Sequence, residues 1–309
     1  MTMDRQNHQI AADVIRIRVA QLLINEELKK KAFRVPIHLA LGHEAVAAAV
    51  SAAMDDEDAL ICTHRNIHYN LARAENFKAE IDELKLLSSG IALGRLGSMN
   101  MCNPARGLIY SSSILGNDLC VGAGAALAAR LEEKGGAVFS VSGDGAIEEG
   151  AFYEALELAK SWLSPLVIIV ENNDWSLGTR ISERRCPIDL SAIAAGFKVP
   201  FVRLEGNNAS EYARHFVRAK ETAVREETPV LVEVKVVTLG SWVMDAPGFP
   251  DGKFINYHHG ASPAAGLEDW PVLGDDESDP LVVLAQQHGL DAMQDLARAL
   301  RLRLEGEMG

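Results

Sequence analysis

The sequence is short of positive charge, of cysteine and of long apolar runs, and each shortage excludes something. Lysine and arginine number 30 against 43 acidic residues, a formal net charge of −13. A chain this acidic lacks the cationic field that a general nucleic-acid or membrane-surface binder needs, so neither partner is expected. The four cysteines, Cys62, Cys102, Cys120 and Cys186, form no CxxC pair, and no His/Cys spacing reads as a zinc site. Scattered thiols in 309 residues point to a reduced, cytoplasmic protein. The strongest apolar run, 166–170, is far too short to span a bilayer, and Met1 to Gln9 shows no secretory hydrophobic segment. No repeat or low-complexity tract is present. No GxGxxG follows a strand pattern with an acid at the required distance, which sets aside a nicotinamide-binding Rossmann protein. What remains is an ordinary globular composition, 48% hydrophobic and 24% charged, with enough chain for a sizeable core.

Apolar spacing predicts helices over 8–32, 44–54 and 79–89. Residues 90–117 hold six glycines or prolines and the serines 111–113, a long loop-rich stretch of the kind that often carries function. A small-residue helix over 119–133 follows. The pattern then alternates: strand 137–141, helix 151–162, strand 166–170, helix 191–196, strand 200–204, helix 209–226, strand 229–237. The unbroken apolar run at 166–170 fits a parallel sheet covered on both faces. The reading is an α/β fold, a doubly wound parallel sheet with helices on both faces. One domain over 1–266, with an N-terminal helical extension, is expected to carry an acidic linker and C-terminal helices, 267–309, packed against it.

The central feature is Ser142-Gly143-Asp144-Gly145-Ala146 directly after a strand, followed by a helix. The next strand ends in Glu171-Asn172-Asn173-Asp174-Trp175. In a parallel sheet both strand ends reach the ligand-binding edge. Mg²⁺ wants oxygen ligands and commonly keeps phosphate oxygens among them. The Asp144 carboxylate, the Asn173 amide and the Trp175 carbonyl would supply three protein oxygens. Gly143 and Gly145 let the backbone approach a phosphate, and the following helix N-terminus favours an anion. A GDG alone is a common βα-loop sequence; the matched Asn-Asn one strand–helix–strand unit later is what makes it a site.

At these residues the chain resembles a known family. GDG followed by NN resembles the thiamine-diphosphate motif, and the stretch 143–179 is similar to the alpha subunits of 2-oxo-acid dehydrogenases of the pyruvate, branched-chain and acetoin types. The resemblance covers roughly 10–240 and includes four further motifs in the family's order. His38-Leu39-Ala40-Leu41-Gly42-His43-Glu44-Ala45 resembles HLxxGQEA, and Thr63-His64-Arg65 resembles THR. Gly97-Ser98-Met99-Asn100-Met101 resembles GSMHM, and Ile114-Leu115-Gly116 resembles GIVG. The resemblance implies thiamine diphosphate and Mg²⁺ as cofactors. Asp144, Asn173 and Trp175 would ligate the metal. His64, Arg65, Gly143, Gly145 and Ala146 would hold the diphosphate, a bidentate guanidinium suiting that task. Ser113, Leu115 and Leu177 would line the ring side. His38, His64 and His68 would serve the substrate side. Read without the resemblance, His38 is a core histidine between two apolar residues, and His64-Arg65 a surface pair at a helix start.

The departures bear on the reaction. The family's histidine after GSM is Asn100 here, and the one after THR falls on Ile67 with His68 beside it. The late HGHS loop is replaced by Gly240-Ser241-Trp242. A second resemblance competes: 113–119 is similar to transketolase's GSLGxGL, and 253–260 to the late WHHG region of split transketolase N-terminal subunits. That makes His258 and His259 candidate catalytic residues, with Arg180, Arg184 and Arg185 available for a sugar phosphate; a His-His pair in such a loop is otherwise a surface turn.

Too little chain follows residue 237 for a second α/β domain. A beta-type subunit is therefore expected to bring the pyrimidine-binding domain and the catalytic glutamate, in a heterotetramer. The expected function is C–C bond cleavage and acyl or aldehyde transfer from a small carbonyl substrate, with a lipoyl carrier as a further partner in the dehydrogenase reading. A split transketolase-like subunit and a non-catalytic assembly paralogue are the alternatives.

Overall fold

The strand Leu166–Asn172 is buried along its whole length, and its alternate side chains enter two different cores. Val167 and Ile169 face one, Leu166, Ile168 and Val170 the other. Period-two alternation between two apolar layers is why this segment reads as an unbroken hydrophobic run. The computed structural model describes residues 3–308; Met1, Thr2 and Gly309, which fall within the expected 1–266 and 267–309 units, lie outside the described residues.

In chain order the elements open with helix α1 (Met3–Lys29) and α2 (Glu44–Ala53), strand β1 (Ala59–Thr63), and helices α3 (Ile67–Arg73) and α4 (Phe77–Leu84). Then come β2 (Leu108–Ser112), α5 (Asn117–Leu131), β3 (Val138–Gly143), α6 (Gly150–Ser161) and β4 (Leu166–Asn172). A two-stranded hairpin, β5 (Trp175–Ser176) and β6 (Thr179–Arg180), leads to α7 (Ile181–Arg184) and α8 (Leu190–Phe197). After β7 (Phe201–Leu204), α9 (Ala209–Arg225) and β8 (Val230–Lys235) a second hairpin, β9 (Trp242–Ala246) and β10 (Phe249–Ile255), precedes α10 (Pro280–His288) and α11 (Leu290–Met308).

The main sheet has six strands in the order β2-β1-β3-β4-β8-β7, and every pairing in it is parallel. Helices α1, α2 and α9 cover one face; α5, α6 and α8 cover the other. This is the α/β, doubly wound arrangement expected. Among the described residues no helix is long and apolar enough to cross a membrane.

Three expectations need correction. Helix 79–89 is instead Phe77–Leu84. The Asn76 side chain caps it by accepting from the Lys78 and Ala79 N–H groups, and Leu86, at φ 59, ends it. The loop-rich stretch 90–117 holds a strand, β2, that glycine content hid, and it is ordered from α4. The Glu83 carboxylate accepts four backbone N–H bonds, from Ala92, Gly94, Leu96 and Gly97, at 2.8–3.1 Å. Beyond residue 239, where the sequence pattern placed no strand, the chain forms the β9–β10 hairpin.

Residues 267–308 are anchored to α1 through a buried ion cluster. Arg18, fully buried, reaches Glu44 at 2.6 Å and Asp279 at 3.0 Å. Asp279 also caps α10 and accepts the Leu273 N–H.

Candidate active site

Because the strands run parallel, β1, β2, β3 and β4 all end at one edge of the sheet, at Thr63, Ser112, Gly143 and Asn172. Gly143 pairs with Glu171 in the ladder, so the GDG loop and the Asn-Asn loop leave the sheet side by side. A cavity of about 360 Å³ lies over these ends. Asp144, Asn173 and Trp175 line it, and so do Gly143, Gly145 and Ala146. His64 and Arg65 enter from the end of β1, Ser113 and Leu115 from the end of β2, and Leu177 from the β5–β6 turn. His38 and His258 close another side. A Cβ added at Gly143 would meet nothing within 4 Å, so the backbone there is open to a ligand.

The Asn-Asn loop is built by its own side chains. Asn172 Oδ1 accepts from Asp174 N at 3.2 Å and Asn173 Oδ1 from Trp175 N at 3.0 Å. Asp174, inside these turns, has φ 66, and Leu177, beyond them, has φ 54, a left-handed region that costs a leucine energy and is found at functional loops. Asp144 is buried, which pushes its carboxyl up, while Arg184 at 2.7 Å works the other way. The three residues expected to supply oxygens to Mg²⁺ therefore line one cavity, and carboxylate, amide and carbonyl oxygens are hard donors.

The histidines form a cluster. The His38 ring lies 4.8 Å from His64, 4.9 Å from His258 and 5.6 Å from His259. Burial, then the Arg65 guanidinium, lowers His38 to about 2 and His64 to about 4. The same two causes lower His258 to about 4. The three rings are neutral at pH 7, and the buried His38 Nδ1 has no hydrogen-bond partner. His259 packs on His38 but does not line the cavity.

Three sequence expectations are redrawn. His68 is not at the cavity: it is fully buried, with Nε2 3.1 Å from Glu171, because α3 turns it toward the end of β4. Arg65 lines the cavity yet is spent in part on the protein, its guanidinium donating to the Leu39 and His258 carbonyls. Arg184 and Arg185, expected to be free for a phosphate, both pair with Glu148 at 2.7 Å. Arg180 stays exposed, stacked 4.7 Å over Trp175.

Sequence reasoning missed Glu171, His43 and Thr238. Glu171 accepts from His68, Tyr69 and His43, and although burial pushes its carboxyl up, His68 and His43 bring it well below the usual range. The signal was present, since Glu171 abuts the Asn-Asn pair and His43 stands inside the 38–45 motif.

Comparison with known proteins decides the relationship. A family model described as "Dehydrogenase E1 component" matches residues 13–248. The chain belongs to the dehydrogenase E1 component family. It is 30% identical over 211 residues to the pyruvate dehydrogenase E1 component subunit alpha of Zymomonas mobilis, covering 68% of this chain and 60% of that one. It is 28% identical to the mitochondrial pyruvate dehydrogenase E1 component subunit alpha of Saccharomyces cerevisiae, covering 78% and 56%. The chain thus spans less than two thirds of either relative's length. Its fold is similar to transketolase from Leishmania mexicana (TM-score 0.56, 15% identity, 100% of this chain and 46% of that one). Transketolase from Campylobacter jejuni is alike (0.55, 14%, 98% and 48%). The E1 match includes every cavity residue named above except His258, which lies beyond its end.

Proposed function

We propose that this E1-family chain is the alpha-type subunit of a heteromeric enzyme dependent on thiamine diphosphate and Mg²⁺, acting on a 2-oxo acid or ketose. The observation that carries this is the convergence of the GDG loop, the Asn-Asn loop and His64-Arg65 on one cavity. Asp144 and Asn173 would hold the metal by side-chain oxygens and Trp175 by its carbonyl. His64, Arg65 and the Gly145 and Ala146 backbone would face the diphosphate, with Ser113, Leu115 and Leu177 beside the rings. When bound, thiamine diphosphate supplies a nucleophilic carbon and an electron sink for cleaving the bond beside a carbonyl. The neutral rings of His38, His64 and His258 can donate or accept a hydrogen at a substrate carbonyl or hydroxyl. We read 1–266 as the cofactor domain, 267–309 as helices packed on it, and the location as cytoplasmic, although the yeast relative's name says mitochondrial.

A beta-type partner is part of the proposal. It is supported by apolar side chains left bare around the cavity mouth: Ile114 is 69% exposed and Leu177 65%. Glu171 and Asp144, the carboxylates that line the cavity among the described residues, are paired with His43, His68 and Arg184, and the catalytic glutamate would come from that partner.

The split transketolase-like reading is favoured by one observation, the joining of His258 and His259 to His38 and His64. Turnover of 2-oxo acids and of ketose phosphates by the chain combined with its partner tests the two readings. Transfer to a lipoyl carrier supports the dehydrogenase, aldose acceptance the transketolase-like enzyme. No turnover and no cofactor binding would leave an assembly paralogue.

A further inference from the structure

Behind Asn173 runs a chain of hydrogen bonds fixed at its near end by the backbone. The Trp175 N–H can only donate, and it lies 3.0 Å from Asn173 Oδ1. The Asn173 amide nitrogen therefore faces Thr238 Oγ1, 2.7 Å away, and donates to it. Thr238 Oγ1 in turn lies 2.9 Å from His43 Nε2, and His43 Nδ1 lies 2.8 Å from Glu171 Oε2.

Asn173 is therefore left one orientation. With its nitrogen on Thr238, its Oδ1 accepts from Trp175 N at 3.0 Å and retains a second lone pair. A flipped amide would set its nitrogen against the Trp175 N–H, donor against donor, and would lose that bond.

We propose that Thr238 and His43 are positioning residues that hold the Asn173 amide oxygen ready for a divalent cation. This rests on the reading of Asp144, Asn173 and Trp175 as the metal ligands. Partners that orient a ligand from behind are commonly needed for full metal affinity. The family motif quoted for residues 38–45 has glutamine where His43 stands; a glutamine amide also offers one donor and one acceptor, so it can carry the same polarity.

The test uses the protein combined with its beta-type partner. Mn²⁺ affinity in the presence of thiamine diphosphate is read by electron paramagnetic resonance. Thr238→Val, which keeps shape but removes the hydroxyl, is expected to weaken Mn²⁺ binding roughly 10–100-fold. Thr238→Ser is expected to stay within about threefold of wild type, which a role in packing alone would not give. His43→Gln should bind better than His43→Phe. Equal Mn²⁺ affinity in wild type and Thr238→Val would overturn the positioning role while leaving the metal site standing. Absence of Mn²⁺ binding in the wild type would overturn both. Should Thr238→Val fail to fold, the side-chain amide of Asn173 in the metal-free wild type decides by nitrogen-15 NMR. Slow exchange of its amide protons is expected; exchange as fast as that of exposed asparagines would overturn the relay.

Discussion

Arg184 Nη2 lies 2.7 Å from Asp144 Oδ2, on the carboxylate that the GDG loop presents to the cavity. The same guanidinium reaches Glu148 at 2.7 Å, and only 12% of the Arg184 side chain is exposed. The acid proposed to hold the cation is thus paired with an arginine of the chain itself, from α7, 40 residues downstream. A divalent cation bound through Asp144 would compete with this arginine, which keeps Glu148 as its alternative partner.

Removing the competitor should favour the metal. A hydrogen bond to a charged group is worth about 1.5–3 kcal/mol. Arg184→Gln is therefore expected to raise the affinity for Mn²⁺ alone, without cofactor, roughly tenfold. Isothermal titration checks it; unchanged or weaker binding would show that Arg184 does not oppose the ion.

The histidine cluster should make stability depend on pH in a known direction. His38 is lowered to about 2, and His64 and His258 to about 4, chiefly by burial. In the unfolded chain these rings take up protons as pH falls through about 6.5, while in the folded protein they do not. The unfolded state therefore binds more protons in this window, and stability drops as pH falls from about 6.5 toward 4. His38→Phe should flatten the dependence of unfolding free energy on pH by roughly one proton near pH 5. A slope equal to that of wild type in urea titrations would refute the assignment.

The Arg18 cluster gives an ordering of stabilities. Arg18→Met strands Glu44 and Asp279 without their buried cation and should cost roughly 3–5 kcal/mol. Asp279→Asn leaves the Arg18–Glu44 pair intact and should cost less. Urea denaturation of both variants reads the order, and the reverse order would mean that capping of α10 outweighs the ion pair.

Gly42 sits at φ +94, and a Cβ there would lie 2.0 Å from the Val237 carbonyl oxygen. Left-handed backbone alone costs an L-residue roughly 1–2 kcal/mol, before the clash. Gly42→Ala should lower the thermal midpoint and loosen the segment that carries His38 and His43. A midpoint equal to wild type would show that the turn is free to shift.

The alternation of strands and helices from β3 to β8 was legible because each unit is long, periodic and buried on two faces. β1, β2 and α3 were not: they are five to seven residues long and sit among glycines and polar residues whose order comes from distant groups such as Glu83. The GDG and Asn-Asn loops could be placed because strand ends in a parallel sheet share an edge. The gathering of His38, His64 and His258, some 220 residues apart in sequence, depends on the return of the chain through Tyr257, whose hydroxyl lies 3.2 Å from Leu39 N. No local pattern encodes that return. Nor could spacing show that Arg184 turns onto Asp144, or that His68 turns away from the cavity.

Asp144 and its neighbours are proposed to hold the diphosphate of thiamine diphosphate through Mg²⁺. The most direct measurement is calorimetric titration of thiamine diphosphate into the chain combined with its beta-type partner, with and without Mg²⁺, for wild type and Asp144→Ala. Binding that requires Mg²⁺ and is abolished in Asp144→Ala is the predicted result. Binding indifferent to both, or none in the wild-type mixture, would mean that Asp144 does not hold the cofactor through a metal.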